Sequence, residues 1–167
     1  MKNYQEWYDH IAGKIENKPF LLRLLRTFNR LMTVVMPIVY LTLLATTYLQ
    51  EGLGKQVCIY LFVPASGFVI LSFLRKKTNA PRPYEVWEIV PLLDRDSPGQ
   101  SMPSRHVFSA TIISMACLHA NLSVGFILLI LSAILGLVRV LGGVHYPKDV
   151  VVAYICALVW GVIFFLC

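Results

Sequence analysis

The chain has 167 residues, 57% of them hydrophobic and only 14% charged, a balance that ordinary soluble domains do not show. The net charge of +6 comes without any basic–aromatic nucleic-acid motif, so it points to lipid headgroups and membrane orientation rather than to nucleic acid. Four cysteines, Cys58, Cys117, Cys156 and Cys167, all fall in apolar runs without metal-ligand spacing and read as small packing residues.

The length allows one domain, residues 1–167, with an interfacial segment over 1–30 and a helical bundle over 31–167. Residues 3–16 place Trp7, Ile11 and Ile15 at helical spacing on one face. The stretch Met1–Asn17 is polar and lacks the apolar centre of a signal peptide. After a break at Asn17-Lys18-Pro19, the segment Phe20–Arg30 interleaves leucines with Arg23, Arg26 and Arg30. That pattern predicts an amphipathic helix lying in the headgroup region.

Four long stretches then contain no Asp, Glu, Lys or Arg: 31–50, 56–74, 107–138 and 150–167. Crossing the hydrocarbon core takes about 20 apolar residues. The third stretch is long enough for two shorter crossings with a turn at His119-Ala120-Asn121. The expectation is an all-α, polytopic membrane bundle of about five transmembrane helices, a multi-pass protein of the cell membrane. Pro37 predicts a kink in the first crossing, and Pro64-Ala65-Ser66-Gly67 predicts close packing in the second.

Between the second and third crossings lies a 29-residue polar loop, 75–103, holding five of the nine prolines. Loops of that length without regular structure are usually functional. Its middle, Tyr84–Leu93, is apolar enough for a short helix dipping into the interface. The third crossing begins at Ser104-Arg105-His106, with Ser104 as a natural N-cap. With five crossings, the 75–103 and 140–148 loops lie at the same membrane face as the N-terminal segment.

Three clusters therefore meet at one surface: Arg75-Lys76-Lys77 with Arg82-Pro83, then Pro103-Ser104-Arg105-His106, then Arg139, His145 and Asp149. Taken singly, Arg82 and Arg139 read as interfacial arginines and His145 as an interfacial histidine. Together they have the parts of a phosphoryl-transfer site. Arginine forks neutralise phosphate oxygens two at a time, and a helix N-terminus adds N–H donors. Two histidines can divide attack on phosphorus from protonation of the leaving oxygen, and a carboxylate beside one of them fixes its tautomer. His145 and Asp149 are four apart across a helix start, which puts both on one face. His119, at the opposite end of its helix, reads as a packing residue.

These residues resemble the type 2 phosphatidic acid phosphatase superfamily, lipid phosphate phosphatases related to the vanadium haloperoxidases. Its motifs are K-x6-R-P, P-S-G-H and S-R-x5-H-x3-D. Here they read RKKTNAPRP at 75–83, PSRH at 103–106 and VRVLGGVHYPKD at 138–149, so that the likeness covers a catalytic core of about 55–167. The departures are Arg75 (with Lys76 adjacent) for the lysine, Arg105 for the glycine, and Val138 for the serine.

The resemblance implies that His145 is the nucleophile forming a phosphohistidine, that Asp149 orients it, and that His106 is the general acid. Arg75 or Lys76, Arg82, Ser104, Arg105 and Arg139 would hold the phosphate, with no metal and no cofactor. The implied substrate is a membrane lipid phosphate or pyrophosphate, the relatives including enzymes for undecaprenyl pyrophosphate, phosphatidate and phosphatidylglycerol phosphate. A non-catalytic lipid-phosphate binder or transporter, which would not need both histidines and Asp149 in register, is the alternative. A haloperoxidase-like activity suits the lipid-facing architecture less well. Fourteen of the fifteen Lys and Arg residues lie on the side of the three clusters, against Lys55 opposite. The positive-inside rule thus places that face in the cytoplasm, although several of these charges serve chemistry.

Overall fold

A computed structural model describes residues 4–167. The elements in chain order are α1 (Tyr4–Glu16), α2 (Pro19–Glu51), α3 (Lys55–Thr78), α4 (Pro83–Val86), α5 (Arg105–Ala120), α6 (Leu122–Leu141), α7 (Pro147–Gly161) and α8 (Ile163–Leu166). The described residues contain no strand. α2, α3, α6 and the α7–α8 stretch are long and apolar enough to cross a membrane. α5 is shorter, at 16 residues, and stands in the middle, packed against α2, α3, α6 and α7. The chain is a multi-pass membrane protein.

α5 is buried on every side from Val107 to Cys117 apart from Ser109, as expected of a helix surrounded by other helices. Small residues let its neighbours approach. A Cβ at Gly125 of α6 would lie 2.1 Å from the Leu118 backbone, so the two helices touch main chain to main chain there. Ser114 and Ser132 pair across the same interface at 3.0 Å, removing two hydroxyls that lipid could not satisfy. At the far end of the bundle, His119 lies 2.9 Å from the Tyr60 hydroxyl, the packing role expected of it.

Two boundaries differ from the sequence expectation. Residues 20–30 are the first part of α2, continuous to Glu51, rather than a separate interfacial helix. Pro19 occupies the start of that helix, where its missing N–H costs nothing, and no break separates the arginine-bearing turns from the apolar ones. The helix also runs unbroken through Pro37. In the polar loop, helix forms only over Pro83–Val86, and Trp87–Pro103 follows as irregular chain.

The N-terminal helix α1 is present, but its buried face is Tyr4, Tyr8, Ala12 and Ile15, with Trp7 42% exposed. The reason is the polar tip of tyrosine, which lets a large ring be buried beside backbone. The Tyr8 hydroxyl accepts from Leu92 N at 3.2 Å and lies 3.3 Å from the Val90 carbonyl. Ile89, Leu92, Leu93 and Val144 complete this second apolar cluster. Gly143, at φ +75°, is required where α6 ends, because a Cβ there would come within 2.5 Å of the Tyr8 hydroxyl. α1 is thus packed directly behind the 142–146 segment.

Candidate active site

The sequence-predicted residues converge at the N-termini of α5 and α7 and the C-termini of α3 and α6. A cavity of about 140 Å³ is lined by Arg75, Arg82, Arg105, His106 and His145, together with Asp96, Ser97 and Gln100. Each residue is delivered by a specific local feature. Tyr60, Val63, Pro64, Gly67 and Leu71 form the buried stripe of α3, and Arg75 lies on the same stripe one turn beyond Leu71. Lys76, one position further round the helix, is exposed and does not line the cavity. Arg75, of the two, is the one that lines the cavity, and it donates to the Pro103 carbonyl.

Arg82 is 2% exposed and fixed by four acceptors. Its Nε donates to Ser97 O at 3.0 Å and Gly99 O at 3.2 Å. Its Nη1 donates to Val144 O at 3.2 Å and to Asp96 at 2.7 Å. The guanidinium thus ties the long loop to the segment carrying His145. Glu85 holds the same loop from the other side, accepting from Arg82 N at 2.6 Å and Gly99 N at 2.8 Å.

Ser104 takes the N-cap position of α5, yet its side chain makes no cap bond. Its backbone N–H donates instead to the Asp149 carbonyl at 3.0 Å, joining the starts of α5 and α7. Ser104 Oγ, Arg75 Nε and Arg139 Nε are buried with no hydrogen-bond partner among the described residues. A buried polar group left unpaired costs about 1–3 kcal/mol, so such groups mark places where a ligand atom completes the set. The exposed Arg105 guanidinium lies 5.3 Å from the Phe68 ring, at the membrane side of the cavity, as an added cation where the motif has glycine.

His145 and Asp149 are buried almost completely. His145 Nδ1 lies 3.6 Å from Asp149 Oδ2. Two residues that sequence reasoning missed complete this arrangement and the anion site. Ser101, fully buried, donates to Asp149 Oδ2 at 2.5 Å and lies 3.3 Å from His145 Nδ1. Tyr146 N also donates to Asp149 Oδ2, at 3.1 Å, as α7 begins. With Nδ1 facing Ser101 and Asp149, Nε2 is the nitrogen left for chemistry. Burial, reinforced by the charges of Arg139 and Arg82, pushes the His145 imidazole down to about 4, although Asp149 pulls the other way. At neutral pH the ring is uncharged.

The second missed residue is Asp96. Its carboxylate bridges Arg82 and Arg139, pairing with both through one oxygen. Burial works against its charge, but Arg139 and Arg82 more than offset this and hold its carboxyl below the usual carboxylate range. Arg139 also reaches Asn29 of α2 at 3.4 Å. Two of the four arginines that the resemblance assigns to phosphate, Arg82 and Arg139, are therefore arranged around one anionic oxygen.

His106 lines three cavities at once. Beside the 140 Å³ cavity, a groove of about 790 Å³ opens between α2 and residues 93–96, with Arg26, Asn29 and Arg30 on its wall. A third, of about 200 Å³, runs between α2 and α5 along Met32, Met36, Ala110, Ile113 and Leu135 and is almost wholly apolar.

The fold and site define a helical membrane protein with two histidines and a set of arginines gathered at one end of its bundle. The PAP2 superfamily model matches residues 56–167, and the chain belongs to that superfamily. It is 32% identical over 100 residues to the undecaprenyl-diphosphatase BcrC of Bacillus subtilis (strain 168), over 60% of this chain. The chain spans about half the length of that relative, 51%. Its fold is similar to that of LpxE from Aquifex aeolicus, with a TM-score of 0.73 and 23% identity over 98% of this chain and 94% of the other. It is also similar to a PAP2-type phosphatidylglycerolphosphate phosphatase from Bacillus subtilis, with a TM-score of 0.73 and 17% identity over 99% and 86%.

Proposed function

We propose that this protein is a metal-independent lipid phosphatase of the membrane, acting on the phosphate or pyrophosphate headgroup of a lipid through a phosphohistidine intermediate. The observation that carries it is the join at His106: a cationic cavity holding His145 meets an apolar cavity between α2 and α5. A headgroup and a lipid tail have the same two characters. Membership of the PAP2 superfamily and the likeness to BcrC support the same reading.

In the reaction, Arg75, Arg82, Arg139, Ser104 and the first turn of α5 bind the phosphoryl oxygens and neutralise their charge. Asp96 yields the guanidinia of Arg82 and Arg139 to the incoming phosphate. The Nε2 lone pair of His145 forms a bond to phosphorus while the bond to the leaving oxygen breaks, and His106 gives that oxygen a proton. Asp149, held by Ser101, stabilises the positive imidazole that results. Water then attacks the phosphohistidine, His106 takes its proton, and inorganic phosphate leaves as His145 is restored. The substrate class spans undecaprenyl pyrophosphate, phosphatidylglycerol phosphate and phosphatidate.

The test is phosphate release from these three lipids in detergent, with EDTA present, for the wild type and His145→Ala. The expected result is turnover by the wild type in EDTA, inhibition by vanadate, and a loss of about a thousandfold or more in the variant. Turnover unchanged in His145→Ala, or a wild type that binds these lipids without releasing phosphate, overturns the reading.

A further inference from the structure

The large groove beside the proposed reaction centre is lined on one side by His106, Arg139 and the acidic loop residues Asp94 and Asp96, and on the other by a face of α2 that the reaction so far described does not use. Arg26, Asn29, Arg30 and Thr33 recur at helical spacing on one face of α2, and all four line the groove. They lie across His106 from the cavity holding Arg75, Arg105 and His145. Arg26 spends its Nε on the Leu92 carbonyl at 2.9 Å and so braces the loop. Arg30 makes no hydrogen bond, ion pair or ring contact among the described residues, so its fork is free.

Beyond Arg30 the groove meets the apolar cavity. Thr33 and His106 line both, and the α2 face continues as Met32, Met36 and Pro37. From the phosphate cavity outward, a substrate therefore passes His106, then a cationic wall on α2, then an apolar channel along the same helix. A leaving oxygen that takes its proton from His106 would carry its attached atoms into the groove that Arg30 lines.

From this order we infer that the leaving group is itself a phosphate. On this reading the substrate is a lipid diphosphate cut between its two phosphorus atoms, with Arg30 and its neighbours on α2 as the subsite for the phosphate that stays on the lipid. The inference rests on the phosphatase reading above and narrows it. His145 Nε2 bonds to the terminal phosphorus, and the bond from that phosphorus to the bridging oxygen breaks. The bridging oxygen keeps the electron pair and receives the His106 proton. The products are a lipid monophosphate and, after attack by water, inorganic phosphate. Arg30 binds the inner phosphate throughout and offsets the charge that collects on it as the bridge breaks. A monoester substrate has an uncharged alkoxyl in that position and gains nothing from Arg30. The subsite lies on α2, before residue 56, where the superfamily match begins.

The experiment compares farnesyl diphosphate with farnesyl monophosphate, identical in tail, in detergent micelles, for the full chain as wild type, Arg30→Gln and Arg30→Glu. Inorganic phosphate is measured, and the quantity read is the ratio of the two kcat/KM values on one preparation. That ratio does not depend on how much of a variant folds. The wild type is expected to favour the diphosphate by about tenfold or more, the worth of one charge-assisted hydrogen bond. Arg30→Gln should bring the ratio close to one, and Arg30→Glu below it, while Lys77→Gln, which lines neither cavity, should keep the wild-type ratio. A wild-type ratio near or below one, or a ratio unmoved in both Arg30 variants, overturns the subsite. Release of phosphate from phosphatidate faster than from the diphosphate overturns it too and leaves the phosphatase reading standing. No release from any lipid overturns that reading instead.

Discussion

At the scale of single residues, the reaction centre turns on how His145 is kept neutral and aimed. Burial and two arginine charges favour the uncharged ring, which is the nucleophilic form. Asp149 and Ser101 occupy the Nδ1 side and leave Nε2 free for the proposed attack on phosphorus. The pH dependence follows in sign. The His145 value is about 4 in the folded protein against 6.5 for an ordinary histidine, so between these values the unfolded chain binds more protons than the folded one. The contribution of this group to stability is full above 6.5 and is lost as the pH falls toward 4. The Tm in detergent should decline over that window, and the acid limb of kcat/KM should lie nearer 4 than 6.5. An acid limb at the ordinary histidine value would remove buried His145 as the nucleophile. The meeting of His145, Asp149 and His106 at one end of the bundle was legible in the sequence because motif spacing at helix starts survives without coordinates. Ser101 and Asp96 were not, since a serine or aspartate in irregular chain carries no periodicity. The choice between Arg75 and Lys76 is legible in hindsight: Tyr60, Val63, Gly67 and Leu71 set a helical phase that Arg75 keeps and Lys76 leaves.

At the scale of elements, the loop from Asn79 to Ser104 is a device for bringing Asp96 to the arginines. Arg82 and Glu85 fasten its two ends together, and the Tyr84 hydroxyl donates to the Asp96 carbonyl at 3.0 Å. Asp96 holds Arg82 and Arg139 in the geometry an anion needs, but it competes with that anion for them. Asp96→Asn keeps the shape and removes the charge. Its expected effect is a several-fold fall in the inhibition constant of inorganic phosphate, read from the rate of lipid hydrolysis. A weaker phosphate affinity in the variant would mean that Asp96 serves the arginines only as a support. The helix α2 was misread at its boundary for a related reason. Interleaved arginines and leucines look like an interfacial helix when the reader assumes that the polar face meets water. Here Arg26, Asn29 and Arg30 line an open groove beside the candidate site, and the helix continues without a stop signal.

At the scale of the whole molecule, the bundle separates its two tasks by height. The end with His119 and Tyr60 is packing, with hydroxyls and imidazole paired among themselves. The other end carries nearly all the cationic charge and every residue of the proposed chemistry. The polytopic helical bundle and the meeting of the loops at one end followed from the sequence, because charge-free stretches of bilayer length have few other uses; four helices reach spanning length and the central α5, at 16 residues, falls short of it. The lining of the cavities did not follow, since it depends on which faces of α2, α5 and α6 turn toward one another.

The tyrosines of α1 have a consequence for how the chain yields to proteases. Tyr4 packs against Tyr146 with the rings tilted and their centroids 5.0 Å apart, and Tyr8 bonds the main chain at Leu92. A splint of 13 residues thus holds two otherwise irregular segments from behind. Removing that splint should loosen the chain that follows Leu92 and open the peptide bond after Arg95 to cleavage. A chain lacking residues 1–16 should be cut by trypsin after Arg95 well before the full-length protein, with the bundle helices still intact on a gel. Equal cleavage rates in the two would show that the loop stands unaided. The N-terminal helix is, on this account, what keeps the long loop from being digested.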